Sequence, residues 1–240
     1  MKCGPKTELP GKIGNLSMNP HNIFNSPTFL IFGSSGSIGS ECLTTLQKIG
    51  IVVRGSRDIS ELKNQLNEIQ EIDSVIWAHG LNMSDSIENF QLQNYENVLN
   101  ANVTFILNSL RVLFEGNKLK SGSQLVIVSS VWSHISRPNK LTYGISKAAI
   151  GGLVRSLATD LGPQGIHVNA VAPGPIDTPM TRKNLNEREL DRVISETPLG
   201  RLVSISEVTS LICRFAKGDF KGVTGQEILI DGGWSVSKLV

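Results

Sequence analysis

The sequence predicts a single doubly wound α/β domain with a mostly parallel sheet of about six strands. Short apolar runs rich in β-branched residues recur along the chain, and helical patterns of apolar residues lie between them. Runs of this kind suit strands buried on both faces, and their alternation with helices is typical of parallel sheets. The third observation is a glycine-rich turn, GSSGSIG, which directly follows the first apolar run.

The predicted elements alternate from residue 27 onward, and we find no internal repeat. Apolar content and flanking turns predict strands at residues 28–32, 51–53, 73–81, 125–128, 165–171 and 226–230. Helical spacing of apolar residues predicts helices at 41–49, from a cap at Ser60 to 69, at 95–114, 143–161 and 206–216. A polar segment, residues 177–195, carries Met180 and other apolar residues on one possible helical face.

Length and composition exclude several classes of protein. A chain of 240 residues can bury a full core, and its formal net charge of +2 favours neither a nucleic acid partner nor a membrane surface. Cys3, Cys42 and Cys213 show no metal or disulfide spacing, so we expect no metal site and a cytoplasmic location. No apolar run approaches the ~20 residues that span a bilayer. Residues 1–26 lack a signal-peptide core and are predicted to be a flexible extension of the domain at 27–240.

The turn from Gly33 to Gly39 has the composition of a dinucleotide phosphate site. Glycines at positions 33, 36 and 39 let the backbone approach a pyrophosphate. The N-terminus of the next helix offers free N–H groups and the positive end of its dipole. Such a turn can also be an ordinary tight turn, but its place after the first strand favours nucleotide binding.

Residues 125–150 combine a strand, a polar loop and a helix that together can carry chemistry. Ser130 lies where the strand ends, and Tyr143 and Lys147 are four residues apart, so they share one helix face. We expect the Lys147 ammonium to lower the pKa of Tyr143 from about 10, so that the phenol can act as a general acid or base. Ser130 would then hydrogen-bond a substrate oxygen. Taken alone, this spacing also suits an ordinary solvated helix face.

Further motifs follow in a fixed order along the chain. They are Gly80 in WAHG, Asn102 in NANVTFIL, Asn169 with Pro173 and Gly174, then Ile176 and Thr178, and the C-terminal run VTGQEILIDGGW. Together with the glycine turn and the Ser–Tyr–Lys set, these motifs resemble the short-chain dehydrogenase/reductase family over about residues 28–235. The resemblance is to the short branch of that family, which has a single Rossmann-type domain.

The resemblance implies an NAD(P)(H)-dependent oxidoreductase that interconverts a carbonyl and a secondary alcohol by hydride transfer. It favours the reductase direction and a 3-oxoacyl or ketone substrate. The implied catalytic residues are Asn102, which would hold a water of a proton relay, Ser130, Tyr143 and Lys147. The implied cofactor-binding residues are Gly33, Ser35, Ser37, Ile38, Arg57, Asp58, Ile59, Ala78, Gly80, Tyr143, Lys147, Pro173, Gly174, Ile176 and Thr178. Residues 177–195 would form a mobile flap, with an ordinary surface helix pair as the alternative.

Four departures from the family pattern stand out. Phe32 occupies a position where the family often has threonine. In the glycine-rich turn, Ser37 occupies the position of the family's middle glycine, and Gly36 lies one residue before it. His79 replaces a small residue, and we expect a buried or backbone-bonded histidine there rather than a catalytic one. Only a few residues separate the second strand from Asp58-Ile59-Ser60, which resembles an acidic strand end beside the adenine. One helix and one strand are therefore expected to be missing, which leaves six strands where the family has seven.

Cofactor choice depends on the residues after the second strand. An arginine there pairs with the 2′-phosphate of NADP, whereas an acidic residue binds the ribose hydroxyls of NAD. We predict that Arg57, with Arg54 behind it, faces the 2′-phosphate, which favours NADP(H) over NAD(H). In the alternative, Asp58 lies on the ribose and both arginines lie in solvent.

Two other functions remain open for this fold, a non-catalytic nucleotide sensor or scaffold and a sugar-nucleotide epimerase or dehydratase. The presence of all four catalytic positions disfavours the first, and the short chain disfavours the second. A β-ketoacyl reductase and a small-alcohol dehydrogenase are equally compatible with the sequence. The resemblance further implies a homodimer or homotetramer that pairs through helices 95–114 and 143–161, and the second helix carries small residues at Ala148, Ala149, Gly151 and Gly152.

Overall fold

The computed structural model describes residues 26–178, 181–182 and 185–237. The strands are β1 Thr28–Phe32, β2 Ile51–Gly55, β3 Ile72–Trp77, β4 Leu119–Val128, β5 His167–Pro173 and β6 Glu227–Ile230. The helices are α1 Ser37–Leu46, α2 Ile59–Asn67, α3 Leu92–Leu99, α4 Phe105–Glu115, α5 Leu141–Leu161, α6 Glu187–Glu196 and α7 Ile205–Ala216. The predicted extension lies outside the described residues apart from Ser26, and so does Met180 in the polar segment.

The six strands form one sheet in the order β2-β1-β3-β4-β5-β6, and every neighbouring pair is parallel. The chain moves outward from β1 to β2 and then crosses back to β3, so the order reverses between β1 and β3. This is the topology of a doubly wound fold, and it places a ligand crevice at the reversal. The predicted fold class and the number of strands are confirmed.

Helices cover both faces of the sheet, and each face has its own hydrophobic core. On β1, Leu30 and Phe32 point into one core, whereas Phe29 and Ile31 point into the other. This alternation follows from the strand period of two residues. It also explains why the strand is apolar from Phe29 to Phe32, since neither face meets water there.

The structure corrects the predicted path after the second strand. Strand β2 ends at Gly55, and helix α2 begins at Ile59 with Asp58 as its N-cap, whose carboxylate accepts a hydrogen bond of 2.8 Å from the Glu61 N–H. The predictions that Ser60 caps this helix and that Asp58 closes a strand are therefore wrong. The shortened link brings β2 directly to α2, so no third strand forms beyond β2 among the described residues.

The predicted long helix at 95–114 is divided into α3 and α4 by a π-helical turn, Asn100–Thr104. Asn102 lies in this turn and is only 2% exposed. Strand β3 ends at Trp77, earlier than predicted. Ala78 and His79 then pass close to Gly33, where an added Cβ atom would lie 2.7 Å from the His79 backbone nitrogen. Within the described ranges, no helix is both long and apolar enough to cross a membrane.

Candidate active site

The carboxyl ends of β1, β3, β4 and β5 lie side by side, because neighbouring strands of this sheet are parallel. The glycine turn follows β1, residues 78–80 follow β3, residues 129–130 follow β4, and Gly174 follows β5. Ligands of open α/β sheets bind at this edge, near the point where the strand order reverses. The predicted site residues on these four segments are therefore brought to one edge.

Ser130, Tyr143 and Lys147 meet at this edge, as the sequence predicted. Ser130 follows β4 in an extended conformation, and its side chain interacts with the phenol of Tyr143 in the first turn of α5. The Nζ atom of Lys147 lies 5.7 Å from the centroid of the Tyr143 ring. One turn of α5 therefore presents the phenol and the ammonium together, next to a serine hydroxyl from the neighbouring strand.

Burial controls the charge of Lys147. The residue is 4% exposed, and its Nζ atom donates a hydrogen bond of 3.0 Å to the Val128 carbonyl. Burial lowers the pKa of Lys147 from its usual 10.5 to about 8, and the Glu227 carboxylate acts in the opposite direction. The ammonium therefore still predominates at neutral pH.

Burial also determines the direction of the shift at Tyr143. It raises the pKa of the phenol above its usual value of 10.0, and the interaction with the Ser130 side chain offsets this only in part. The expectation that the pKa of Tyr143 is lowered is therefore wrong for this structure. The reason is that burial of the phenol, although the residue is only half-buried, favours its neutral form.

Asn102 joins three segments of the site. Its Oδ1 atom accepts a hydrogen bond of 2.7 Å from the Leu81 N–H, and its Nδ2 atom donates to the Leu81 carbonyl at 3.0 Å and to the Ser146 hydroxyl at 2.8 Å. The π-helical turn points this amide inward, so it ties the loop after β3 to α5. The water-holding role implied for Asn102 stays a prediction.

The glycine turn presents the N-terminus of α1 at the sheet edge. Gly36 is the N-cap of α1. Because glycine has no side chain, no capping group occupies the first N–H groups of the helix. Ser35 and Ser37 are exposed beside it, and Ile38 is half-buried. An added Cβ atom on Gly39 would lie 2.2 Å from the Gly33 oxygen, so α1 can approach the turn this closely only with glycine there. Free N–H groups at a helix N-terminus fit a pyrophosphate.

A cavity of about 260 Å³ lies beside the turn, at the position expected for the adenosine part of a dinucleotide. It is lined by Arg57, His79, Gly80, Leu81, Asn100, Ala101 and Phe105. Arg57 thus borders the cavity, whereas the carboxylate of the adjacent Asp58 is engaged in capping α2. Ile59 packs against the core, and half-buried Ala78 donates its N–H to the Phe32 carbonyl at 2.9 Å.

His79 belongs to an aromatic cluster under this cavity. Its ring meets Phe105 edge-on at a centroid distance of 4.8 Å, and Phe32 stacks on Trp77 at 5.9 Å. Burial, and then the charges of Lys147 and Arg57, lower the pKa of His79 to about 4. The imidazole is therefore neutral at neutral pH, and the residue is half-buried. The expectation that His79 is not catalytic stays a prediction.

The other end of the edge carries the residues implied to hold the nicotinamide. Pro173 ends β5, and an added Cβ atom on Gly174 would lie 2.6 Å from the Asp231 Cβ, so a side chain cannot be accommodated there. Ile176 forms a parallel β-bridge with Val203. The Thr178 hydroxyl lies 3.0 Å from the Thr181 hydroxyl.

Three polar residues near the site were not identified from the sequence. The Ser133 hydroxyl lies 2.6 Å from the Ser130 carbonyl and 2.7 Å from the carboxylate of Glu227. No local signal identifies Glu227, because β6 brings it to the site from a distant part of the chain. Lys140 lies against Tyr143. Because Lys140 precedes that tyrosine by three residues, helix spacing could have identified it from the sequence.

This fold and this site define an oxidoreductase that uses a nicotinamide nucleotide. Residues 49–235 match the family model described as enoyl-(acyl carrier protein) reductase. A 3-oxoacyl-(acyl-carrier-protein) reductase of Thermotoga maritima is 31% identical over 211 residues, which are 83% of this chain and 85% of the relative. The chain belongs to the short-chain dehydrogenase/reductase family.

Solved structures share the fold. A short chain dehydrogenase family protein from Francisella tularensis has a TM-score of 0.79 and 24% identity, and the match covers 88% of this chain and 100% of the other. A gluconate 5-dehydrogenase from Burkholderia cenocepacia, in complex with NADP and tartrate, has a TM-score of 0.79 and 19% identity, over 88% and 96% of the two chains. The recognition of the family from the sequence is confirmed.

Proposed function

We propose that this protein is an NADPH-dependent reductase that converts a carbonyl compound of the 3-oxoacyl or ketone type into a secondary alcohol. The observation that carries the proposal is the meeting of Ser130, Tyr143 and Lys147 at one edge of the sheet, with the Lys147 ammonium 5.7 Å from the phenol ring. The Thermotoga maritima relative, which is named a 3-oxoacyl-(acyl-carrier-protein) reductase, supports the substrate class and the direction.

The proposed mechanism assigns one task to each side chain. A bound nicotinamide nucleotide supplies the hydride for the carbonyl carbon. The Ser130 hydroxyl orients the carbonyl oxygen, and Tyr143 donates its proton to that oxygen as general acid. The Lys147 ammonium stabilises the phenolate that remains, because opposite charges attract strongly in a buried site. Asn102 keeps the loop after β3 and helix α5 in register through its contacts with Leu81 and Ser146.

Replacing Tyr143 tests the mechanism. In Tyr143→Phe we expect kcat on a ketone substrate to fall by ~10²–10⁴-fold, the usual contribution of general acid–base catalysis. Binding of NADPH, followed by its fluorescence, should change little because the ring is retained. A variant with near-normal kcat on a substrate that the wild type reduces would refute the assignment.

We further propose that Arg57 binds the 2′-phosphate and favours NADPH over NADH. Its place in the cavity supports this, and so does the engagement of Asp58 at the start of α2. Loss of charge-assisted hydrogen bonds to a phosphate should weaken NADPH binding by about 10–100-fold in Arg57→Ala, with little effect on NADH. The matched control is Arg111→Ala, which removes an exposed arginine on α4 that does not line the cavity. Tighter NADH binding to the wild type, or equal losses in both variants, would contradict the proposal.

We also propose that the protein is a homodimer or homotetramer in the cytoplasm. Leu107 on α4 and Ile145 on α5 are 43% and 42% exposed, which leaves apolar surface on the outer faces of both helices. Cys42 and Cys213 are free thiols, which suits a reducing compartment.

A further inference from the structure

Lys140, the residue directly before α5, places a second ammonium group against the proposed catalytic phenol. Its Nζ atom lies 5.4 Å from the centroid of the Tyr143 ring, compared with 5.7 Å for Lys147. Both distances are within the range of about 6 Å at which a cation is attracted by an aromatic ring. Lys140 is only 6% exposed, so water screens its charge poorly.

Neutral groups hold this ammonium in place. Its Nζ atom donates hydrogen bonds to the Asn82 side-chain oxygen at 2.7 Å and to the Met83 carbonyl at 3.3 Å. The nearest acidic side chain in its surroundings, Asp85, accepts hydrogen bonds from the backbone N–H and the hydroxyl of Thr142. Within the part of the chain that the structure describes, Lys140 makes no salt bridge.

A buried ammonium without a paired carboxylate is costly, and burial, followed by the charge of Arg137, lowers the pKa of Lys140. Attraction between a cation and a ring becomes much stronger when the ring carries the negative charge of a phenolate. The geometry points to Lys140 as a positioning residue for Tyr143. The Lys140 ammonium stabilises the phenolate of Tyr143 together with the Lys147 ammonium. This inference rests on the proposed function, in which Tyr143 gives up its proton.

The charged and titratable neighbours of this group come from several elements. Tyr143 faces Ser130 after β4 and Lys147 on α5, and Lys140 faces Asp85 after β3 and Arg137 in the loop before α5. Lys147 is in turn influenced by Glu227 on β6 and interacts with His79 after β3. Among these groups only Lys140 and Lys147 are cations within cation–π distance of the phenol ring.

The sequence allows this inference to be tested without a substrate. It contains two tyrosines, Tyr95 and Tyr143, so in a Tyr95→Phe background the phenolate absorbance reports Tyr143 alone. Tyr95 packs beside Phe90 at 5.9 Å, a contact that phenylalanine can keep. Alkaline titration of this parent protein gives the pKa of Tyr143 directly.

The guanidinium in Lys140→Arg stays charged at the alkaline pH where Tyr143 titrates, whereas the side chain in Lys140→Met carries no charge there. We therefore expect the pKa of Tyr143 to be about one unit lower in Lys140→Arg than in Lys140→Met, because an opposite charge at this distance favours the phenolate. Asn82→Ala, which removes the shortest hydrogen bond of Lys140 but keeps its charge, is the matched control and should leave the pKa unchanged. Equal pKa values of Tyr143 in Lys140→Arg and Lys140→Met, or a comparable shift in Asn82→Ala, would overturn the inference.

Folding and function are checked separately. Circular dichroism and thermal melts identify variants that do not fold, and Lys140→Gln, which can still hydrogen-bond Asn82, replaces Lys140→Met in that case with the same expected shift. Ketone reduction by the wild-type protein tests the proposed function. Absence of turnover with an intact pKa shift would reject only the proposed function, whereas normal turnover without the shift would reject only the role of Lys140.

Discussion

At the scale of single residues, burial and charge oppose each other throughout the site. Burial drives both Lys147 and Tyr143 toward their neutral forms, which lowers the pKa of the first and raises that of the second. Glu227 and Ser130 counteract these effects, each on one of the two groups. The site therefore depends on polar neighbours that keep Lys147 charged and reduce the energetic cost of deprotonating Tyr143.

The lowered pKa of Lys147 predicts how stability changes with pH. Its folded pKa of about 8 lies below the usual 10.5, so between these values the unfolded chain binds more protons than the folded protein. The buried charge therefore costs stability below pH 8, and the cost disappears as pH rises from 8 to 10.5. Relative to Lys147→Met, the wild type should gain free energy of unfolding across this window, measured by urea unfolding. A constant difference between the two proteins would contradict the lowered pKa.

At the scale of elements, the close contact between α1 and the glycine turn positions the phosphate site. Gly39 lies on the first turn of the helix, and a Cβ atom there would lie 2.2 Å from the Gly33 oxygen. Gly36 has an ordinary backbone conformation, and a Cβ atom there would lie 3.4 Å from the same oxygen. The two glycines thus have different roles, although both belong to the same motif.

Substituting alanine at each position separates these roles. Gly39→Ala should push α1 away from the turn, lower the free energy of unfolding by about 1–3 kcal/mol and weaken NADPH binding. Gly36→Ala should cost less than about 1 kcal/mol, because only the preference of the N-cap position is affected. Thermal melts and NADPH titration measure both effects. Similar losses in the two variants would show that the contact at Gly39 does not position the helix.

At the scale of the whole molecule, the sheet has six strands, and β2 is its edge strand beside the cavity that Arg57 borders. The opposite edge is β6, which delivers Glu227 to the active site. The outer faces of α4 and α5 carry exposed Leu107 and Ile145. These two helices are where we expect a second copy of the chain to pack.

Sedimentation tests this assembly. At micromolar concentration we expect a mass of at least twice the 26.0 kDa of one chain. The double variant with Leu107→Lys and Ile145→Lys should shift toward the monomer, because charges are costly in an apolar interface. Ile49→Lys, at a position with a similar exposure of 44%, is the control and should leave the mass unchanged. A monomeric wild type would reject the proposed oligomer.

The sequence by itself determined the features that depend on short stretches of chain. Strand and helix periodicity predicted the fold class, and the deletion after β2 predicted six strands. The spacing of Tyr143 and Lys147 placed both on one helix face, and the serine at the end of β4 completed the set. These features are local, because a strand alternates its faces and a helix repeats every turn whatever lies next to it.

Only the tertiary structure decided what each side chain meets. Asp58 caps α2 instead of ending a strand, and the pKa of Tyr143 rises where its spacing from Lys147 predicted a fall. Glu227 approaches Lys147 from a distant strand, and the Lys140 ammonium lies against the phenol ring. The physical reason is that burial and the distances between charges arise from packing of segments far apart in the chain, and these two quantities determine the charge state of each group.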